Sequence, residues 1–339
     1  MTTLERFQAI LSRYHDALVT ALESDGLVPE FLATATRSDR PPRLLCQTRG
    51  IIYLVHFQLA YAHPPAAKRA AKLYEEMRPR YLRHHDGRYT PPAQHDGGAR
   101  YELAFLLNAQ VQLAELEPLE GLDDDLNATL DDILSAPFDT WLQPRAGGDF
   151  LELNALMHLF EALAIAQRYR PQPRIATHIE RIAQVASERF LDTEHGLLAE
   201  RIAEDGRLLE YDLGHNYEWA SLLLLNADLG LDFAALDPKT LCSASERVTL
   251  ASFAPRMISN RLDAERRPMA FDARIWVNLE RLRCLALSGS PLAEPLLEEI
   301  LDAYFPADLP EEYLGQRGPI KSTTGYHVIE CYRAVAGTY

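Results

Sequence analysis

Residues 154–166 read Asn-Ala-Leu-Met-His-Leu-Phe-Glu-Ala-Leu-Ala-Ile-Ala, and this stretch indicates the fold class of the whole chain. Its apolar side chains recur three and four residues apart, which is the period of an α-helix. The stretch is apolar nearly all round, as is typical of a helix that is buried on most of its sides. A histidine, His158, interrupts the apolar pattern near the predicted start of the helix. We therefore expect a buried helix that carries a polar imidazole, that of His158, near its N-terminal end.

The helical period continues along the chain, and runs that alternate with period two are scarce. The one exception is a short hairpin predicted around residues 197–211. Proline and glycine clusters mark the ends of the helices. They delimit twelve predicted helices, at residues 3–23, 43–62, 66–83, 98–116, 122–136, 150–168, 173–191, 214–228, 237–254, 271–287, 291–304 and 322–337.

Every second predicted helix carries an unusual polar or aromatic residue on an otherwise apolar face. These anchor residues lie 51 to 61 positions apart, and they are Arg49, Tyr101, His158, His215, Trp276 and His327. A hidden repeat of this length indicates a solenoid or a closed ring of helical hairpins. Because we find no atypical polar repeat of the kind that caps an open solenoid, we predict a closed all-α (α/α)6 barrel. It is a single domain over residues 1–339, with the even helices inside.

All six anchor residues lie within about two turns of the predicted start of their helix. In a barrel whose inner helices are parallel they would meet at one end. Helix N-termini carry partial positive charge, so that end would stabilise a developing anion. The geometry of the barrel thus predicts where a site should be.

Composition excludes several classes of partner. The 339-residue chain has a formal net charge of −15 and no dense run of basic residues, which argues against nucleic acid and against anionic membranes. Its longest apolar runs are too short to cross a bilayer, and its first residues do not resemble a secretory signal, so we expect a cytoplasmic protein. The four cysteines form no Cys-x-x-Cys pair and are predicted to be buried free thiols.

Two similar segments place a carboxylate three residues after a histidine. They hold His158 with Glu161, and His215 with Glu218. At this spacing both side chains share a helical face, so each glutamate can orient the imidazole of its own or of a neighbouring helix. Imidazoles held near pH 7 beside carboxylates suit the removal of a proton next to a carbonyl. With His327 and Arg49 in the same ring, we interpret the cluster as catalytic rather than as accidental core packing.

Other chemistries are less well supported by the sequence. A His-Glu-x-x-His zinc motif, a glycine-rich phosphate loop and a Gly-x-Ser-x-Gly nucleophile motif are absent from the sequence, so we predict no metal and no cofactor. A glycosidase or lyase stays open, because (α/α)6 barrels host both and a glycosidase needs two carboxylates. Glu152, Glu161 and Glu218 could supply them. The histidine beside each central acid favours proton transfer at carbon.

These segments resemble the N-acylglucosamine 2-epimerase family, which includes mannose and cellobiose 2-epimerases and the mannose and sulfoquinovose isomerases. The resemblance covers nearly the whole chain. It rests on Gln47-Thr48-Arg49, Tyr101 to Phe105, Asn154 to Ala162, Gly214 to Trp219, Trp276 to Glu280, and Tyr326-His327-Val328. Two departures are Leu103, where the family commonly has histidine, and Val277-Asn278, where it has Pro-Gln.

The resemblance implies roles for the residues that match. It implies that His215 and His327 are the acid and base at C2 of a sugar and at the neighbouring carbons. His158 would help to bind or open the sugar ring, and Arg49 would hold the oxygen that becomes anionic in the enediolate. The remaining matched residues would position hydroxyls and imidazoles or pack against the sugar; these are Tyr101, Asn154, Glu161, Glu218, Trp276 and Glu280. The family's chemistry needs no metal or nucleotide.

The choice of reaction depends on where the proton returns. An isomerase delivers it to C1 and makes a ketose, whereas a 2-epimerase returns it to the opposite face of C2. The compact chain and its three tryptophans favour a free monosaccharide over a disaccharide. We predict a mannose-type aldose–ketose isomerase, monomeric or homodimeric, with 2-epimerase as the close alternative. A non-enzymatic sugar-binding ring is the rival from another class.

Overall fold

Twelve α-helices, all at positions that the sequence predicts, build the part of the chain that the structure describes. The structure is a computed structural model, and it describes residues 2–32, 42–83, 87–90, 99–144, 148–253, 257–270, 272–307 and 309–339. The helices are α1 (Thr3–Asp25), α2 (Leu44–Tyr61), α3 (Pro64–Tyr81), α4 (Ala99–Leu116), α5 (Leu122–Ser135), α6 (Asn154–Tyr169), α7 (Pro173–Val185), α8 (Leu213–Leu225), α9 (Pro238–Ser252), α10 (Ile275–Leu287), α11 (Ala293–Tyr304) and α12 (Thr324–Ala336). The starts predicted at residues 98 and 271 and the end predicted at residue 254 lie outside the described residues.

The even-numbered helices form a closed inner ring. Each packs against the next even helix, and α12 returns to pack against α2. The odd-numbered helices lie outside: α3, α5, α7, α9 and α11 each pack on the inner helix that precedes them, and α1 packs on α12 and α11. The predicted (α/α)6 barrel of six hairpins is confirmed.

Apolar side chains fill the space within and between the two rings. The core runs through every helix, and its largest fully buried apolar side chains include Trp141, Trp219 and Phe105. All four cysteines are free and buried, as predicted. Among the described helices, none combines the length and the apolarity needed to cross a bilayer.

A small antiparallel sheet covers one end of the ring, and the sequence predicts only part of it. The described strands are β1 (Phe31–Leu32), β2 (Phe150–Glu152), β3 (Leu191–Asp192), β4 (Leu197–Ala203), β5 (Leu208–Asp212), β6 (Arg261–Asp263) and β7 (Ile320–Lys321). The sheet has the strand order β2-β4-β5-β6, with β3 beside β4, and a separate ribbon pairs β1 with β7. The predicted hairpin is confirmed as the pair β4 and β5.

Two predicted helix boundaries are wrong, for reasons of backbone hydrogen bonding. The helix expected from residue 150 begins at Asn154, because residues 150–152 pair with β4 instead. The helix expected to reach residue 191 ends as an α-helix at Val185 and continues as a π-helical turn over Ala186–Phe190. In both places pairing with the sheet takes over from the helical period.

Amide side chains fasten three inner helices to segments that precede them in the chain, two loops and strand β4. Gln47 bonds the backbone N–H and C=O of Val28, at 2.8 and 2.9 Å. Asn216 does the same to Leu198, at 2.8 and 2.9 Å, and Asn278 to Ile258, at 2.9 and 3.2 Å. Each amide satisfies one buried donor and one buried acceptor at once. Asn278, a departure from the family pattern, therefore has a structural role.

Replacement of Asn216 by leucine should destabilise the fold strongly, because it leaves the N–H and C=O of Leu198 without their partner. We expect the free energy of unfolding to fall by at least about 2 kcal/mol, measured by urea denaturation. The control is the exposed Gln184, whose side-chain amide hydrogen-bonds only the side chains of Arg181 and Glu188. Gln184→Leu should change stability by no more than about 0.5 kcal/mol. Equal effects of the two substitutions would contradict the fastening role.

Candidate active site

One cavity of about 450 Å³ lies at the N-terminal end of the inner ring, beneath the sheet. All six anchor residues line it, which confirms that they meet at one end of the barrel. Asn154 and Glu218 line it as well, whereas Glu161 and Glu280 lie behind the cavity wall, where they bond His158 and His327. The structure thus brings the predicted site residues together; their catalytic roles stay predictions.

His215 is held by a carboxylate that sequence spacing does not reveal. Its Nδ1 lies 2.8 Å from Glu200 Oε2, on β4, and 3.9 Å from Asp212 Oδ2, at the helix N-cap. Burial lowers the pKa of His215, but the negative charges of Glu200 and Asp212 outweigh it, so the pKa is raised well above its ordinary value. Burial also raises the pKa of Glu200 to about 7. His215 is therefore a cationic imidazole.

His327 stands in the opposite electrostatic setting. Its Nδ1 lies 2.6 Å from Oε1 of Glu280, which is fully buried. Burial lowers the pKa of His327 to about 4, and the cationic Arg49 and Arg283 lower it further, against the effect of Glu280. The imidazole is therefore neutral, with Nδ1 protonated toward the carboxylate and the lone pair on Nε2.

The two histidines thus differ in charge at neutral pH. The sequence predicts that both imidazoles have pKa values near 7, and this prediction is wrong, because burial and the local charges move the two pKa values apart. Such a separation is the general way in which a site holds an acid and a base ready at the same pH. The indole of Trp276 contacts both rings, with ring centroids 5.2 Å from His215 and 5.4 Å from His327.

Only one of the two His-x-x-Glu segments forms its internal pair. His158 Nδ1 lies 3.3 Å from Glu161 Oε2, and the hydroxyl of Tyr326 donates to the other oxygen of Glu161. Glu218 instead points toward the imidazole of the neighbouring helix, with Oε1 4.0 Å from His158 Nδ1. Both Glu218 oxygens are buried without a hydrogen-bond partner among the described residues. Burial and the nearby Glu280 raise its pKa well above the ordinary value, so this carboxyl group is neutral.

The approach of α8 to Trp276 requires a residue without a side chain. A Cβ atom on Gly214 would lie 2.5 Å from the indole ring, closer than any real contact. Gly214 therefore lets His215 and Trp276 share one wall of the cavity. Arg49 forms the opposite wall: its guanidinium stacks on Phe105 and Tyr326, 4.5 and 5.0 Å from the ring centroids, and donates to Tyr101 Oη at 3.1 Å.

Apart from Glu152, the charged residues that the sheet and the adjoining loops bring to the mouth of the cavity are not predicted from the sequence. Each arginine there bonds a buried carboxylate: Arg201 bonds Glu152 at 2.8 and 3.0 Å, and Arg261 bonds Glu210 at 2.6 and 2.7 Å. Arg274 pairs with Glu312 in the same way. The alternation of charge along β4 and β5 is the one sign of these residues in the sequence. It does not reveal that the two strands lie above the ring of inner helices.

Two buried groups of side chains have ligand atoms close enough together to surround a cation, within 4.8 Å of one another. Both contain Glu218; one adds His158 and Glu161, and the other adds Glu280 and His327. In each group an imidazole Nδ1 already hydrogen-bonds a carboxylate. A cation at either place would have to replace that bond.

Comparisons with known proteins identify the family of the chain from its sequence and the fold from solved structures. The sequence profile of the N-acylglucosamine 2-epimerase (GlcNAc 2-epimerase) family matches residues 80–302. The chain is 33% identical over 139 residues to a mannose-6-phosphate isomerase of Rhizobium meliloti (strain 1021); the match covers 37% of this chain and 35% of the length of that relative.

Two solved structures are similar over almost the whole chain. The crystal structure of a D-mannose isomerase superposes with a TM-score of 0.75 at 14% identity, covering 98% of this chain and 97% of the other. Cellobiose 2-epimerase from Spirochaeta thermophila DSM 6192 superposes with a TM-score of 0.76 at 15% identity, covering 99% and 98%. At such identities the likeness shows the shared barrel fold.

The opposite charge states of the two histidines can be measured directly. In ¹⁵N NMR spectra of histidine-labelled protein at pH 7, His215 should be doubly protonated and His327 neutral, with its proton on Nδ1. Lowering the pH from 7 to 5 should leave both signals unchanged, because one pKa lies well above this range and the other at about 4. Signals assigned through His215→Gln and His327→Gln that both titrate near pH 6.5 would contradict this assignment.

Proposed function

The chain belongs to the N-acylglucosamine 2-epimerase family, and from this premise we propose that it is an aldose–ketose isomerase that converts a free hexose, D-mannose, to its ketose, D-fructose. The proposal includes that residues 1–339 act as one catalytic unit, since α12 packs against both α1 and α2. The observation that carries it is the pair of unlike imidazoles in one cavity, His215 cationic and His327 neutral.

Both imidazoles are oriented so that one ring nitrogen can act on a bound sugar. Glu200 engages Nδ1 of His215, and Glu280 engages Nδ1 of His327. In each ring Nε2 is therefore the atom left for a substrate. Trp276 between them offers an apolar surface for the face of a pyranose or an open-chain sugar.

The reaction follows from these charge states. Neutral His327 takes the proton from C2 of the open-chain aldose, while cationic His215 gives a proton to the carbonyl oxygen at C1, and an enediol forms. His327 then returns its proton to C1, and His215 recovers a proton from the hydroxyl at C2, which becomes the ketone. No proton is gained or lost over the cycle, and each histidine ends in its starting state.

The other cavity residues stabilise the charge that develops. Arg49 makes no ion pair among the described residues, so its positive charge is available to the sugar oxygens on which negative charge develops as the enediol forms. The neutral carboxyl of Glu218 can donate a hydrogen bond to a sugar oxygen, since neither of its oxygens has a partner among the described residues. His158, Tyr101 and Asn154 line the same wall and would hold hydroxyl groups during ring opening.

The charges at the mouth favour a sugar without a phosphate group. Arg201, Arg261 and Arg274 are each engaged by a carboxylate, and that carboxylate would repel a phosphate placed beside the arginine. Arg49 is needed at the reacting carbons. Although one relative is named for mannose 6-phosphate, the site of this chain is thus better suited to the uncharged hexose.

Substrate and product can be tested in one assay. We expect kcat/KM for mannose to exceed that for mannose 6-phosphate at least about 100-fold, because the carboxylates paired with the mouth arginines repel a phosphate group, and about 1.4 kcal/mol of repulsion corresponds to each tenfold loss. Fructose should be the product, in buffer that contains a chelator. Glucose without fructose would identify a 2-epimerase instead, and a preference for the phosphorylated sugar would overturn the argument from the mouth arginines.

Removal of either histidine should nearly abolish turnover. His215→Ala and His327→Ala should each lower kcat by about 10²–10⁴-fold, the usual contribution of a general acid or base. In deuterated water the wild type should exchange the C2 proton of mannose, and both variants should lose this exchange.

The control is His178, on outer helix α7, whose Nδ1 bonds the backbone of Arg174. His178→Ala should keep the kcat of the wild type. A substantial kcat in either cavity variant would show that the acid/base assignment is wrong, and a hydrolytic or lytic reaction of Glu161 and Glu218 would become the better interpretation.

A further inference from the structure

Arg283 lies on α10 one turn after Glu280, and it is buried behind the cavity rather than in its wall. Its side chain is 1% exposed, and it is absent from the residues that line the substrate cavity. It borders a second cavity of about 590 Å³ at the C-terminal end of the inner ring. A buried guanidinium is costly to desolvate unless several acceptors surround it. Its partners therefore define its role.

Three groups hold the guanidinium, and each uses a different nitrogen. Nη1 donates to Glu280 Oε2 at 3.3 Å, Nη2 donates to Glu330 Oε2 at 2.8 Å, and Nε donates to Tyr339 Oη at 2.9 Å. The planar fork of arginine suits this geometry, and lysine has no equivalent. Arg283 is thereby fixed in position on all sides.

The two oxygens of Glu280 divide between Arg283 and His327. Oε2 accepts from Arg283, and Oε1 accepts from His327 Nδ1 at 2.6 Å. The carboxylate cannot rotate without breaking one of these bonds. The orientation of the imidazole, and the choice of nitrogen that carries its proton, thus depend on Arg283.

The far side of the network is also closed. Glu330 takes Arg283 on one oxygen and pairs with His56 on the other. His56, a buried residue of α2, is therefore a further member of this network of contacts. The hydroxyl of Tyr339 donates to the backbone oxygen of Glu330 at 2.8 Å. A continuous chain of contacts therefore runs along the barrel axis from His327 to the second cavity.

We propose that Arg283 is a positioning residue for the reaction: through Glu280 it fixes His327 in the tautomer whose Nε2 lone pair faces the substrate. This inference rests on the proposed function of His327 as the base. It assigns to Arg283 no contact with substrate. Arg283, Glu330 and Tyr339 border the second cavity, so the residues around that cavity help to hold His327, the proposed base, in place.

The central test compares two buried arginines of the same helix. Arg283→Met should lower kcat about 10- to 100-fold, the usual effect of losing a group that orients a catalytic side chain, with KM changed by less than about threefold. The matched control is Arg281→Met: Arg281 is 8% exposed and pairs with Glu246 at 2.7 and 2.9 Å, on the side of α10 away from the substrate cavity. The Arg281→Met variant should be less stable than the wild type and should keep the wild-type kcat. Equal kcat values in the two variants would overturn the proposal.

A double-mutant cycle tests whether Arg283 acts through Glu280. If it does, adding Arg283→Met to Glu280→Gln should lower kcat no further than about threefold, whereas independent effects would multiply. This double variant removes both buried charges together, so it remains informative if Arg283→Met alone fails to fold. Arg283→Lys keeps the charge without the fork and should also lose at least about tenfold in kcat. Multiplying effects, or a fully active lysine variant, would refute the mechanism.

The tautomer supplies a measurement that needs no turnover. In ¹⁵N spectra of Arg283→Met, His327 should no longer be found in the Nδ1–H tautomer alone. In spectra of Arg281→Met, the His327 signal should match that of the wild type. An unchanged His327 signal in Arg283→Met would overturn the proposal even if kcat falls. If the wild type converts no sugar, the proposed function fails, and the spectra still decide whether Arg283 sets the tautomer.

Discussion

The burial of ionisable side chains at one end of a closed ring is the constraint on which the rest of the structure depends. Six parallel inner helices bring their N-terminal residues into one cavity, away from bulk water. A charge in such a place must be paired, or it is neutralised by a shifted pKa. Both outcomes occur here: Glu280 is ionised because Arg283 and His327 surround it, and Glu218, which has no hydrogen-bond partner among the described residues, is neutral.

The same constraint explains why a mostly helical protein keeps a sheet. The inner helices alone place His215 in the cavity, but they do not supply a carboxylate to its Nδ1. The β4–β5 hairpin leads directly into α8, and it carries Glu200 back over the start of that helix. Asn216 then fastens the helix to β4 by two backbone hydrogen bonds. The acid of the proposed reaction is thus a joint product of a helix and a strand.

The base depends on a different layer of support. His327 is held from behind by Glu280, and Glu280 is held by Arg283, which has no access to the substrate cavity. One histidine therefore takes its charge from acids at the mouth, and the other takes its neutrality from burial and from arginines at its sides. Two residues of the same type reach opposite states because their surroundings differ.

Periodicity in the sequence determined the number and order of the helices, the closed ring and the six anchor residues, because a buried helix imposes its period on the side chains that it carries. The spacing of three also determined the pair of His158 and Glu161, since both lie on one face of one helix. It could not determine the partner of His215, because Glu200 lies fifteen residues away on a strand. The pKa values of both histidines were likewise decided only by the tertiary structure, since desolvation and charge act through space. Arg283 shows the same limit: its sequence position indicates a buried helix face, and only the closed ring brings Glu330 and Tyr339 to it.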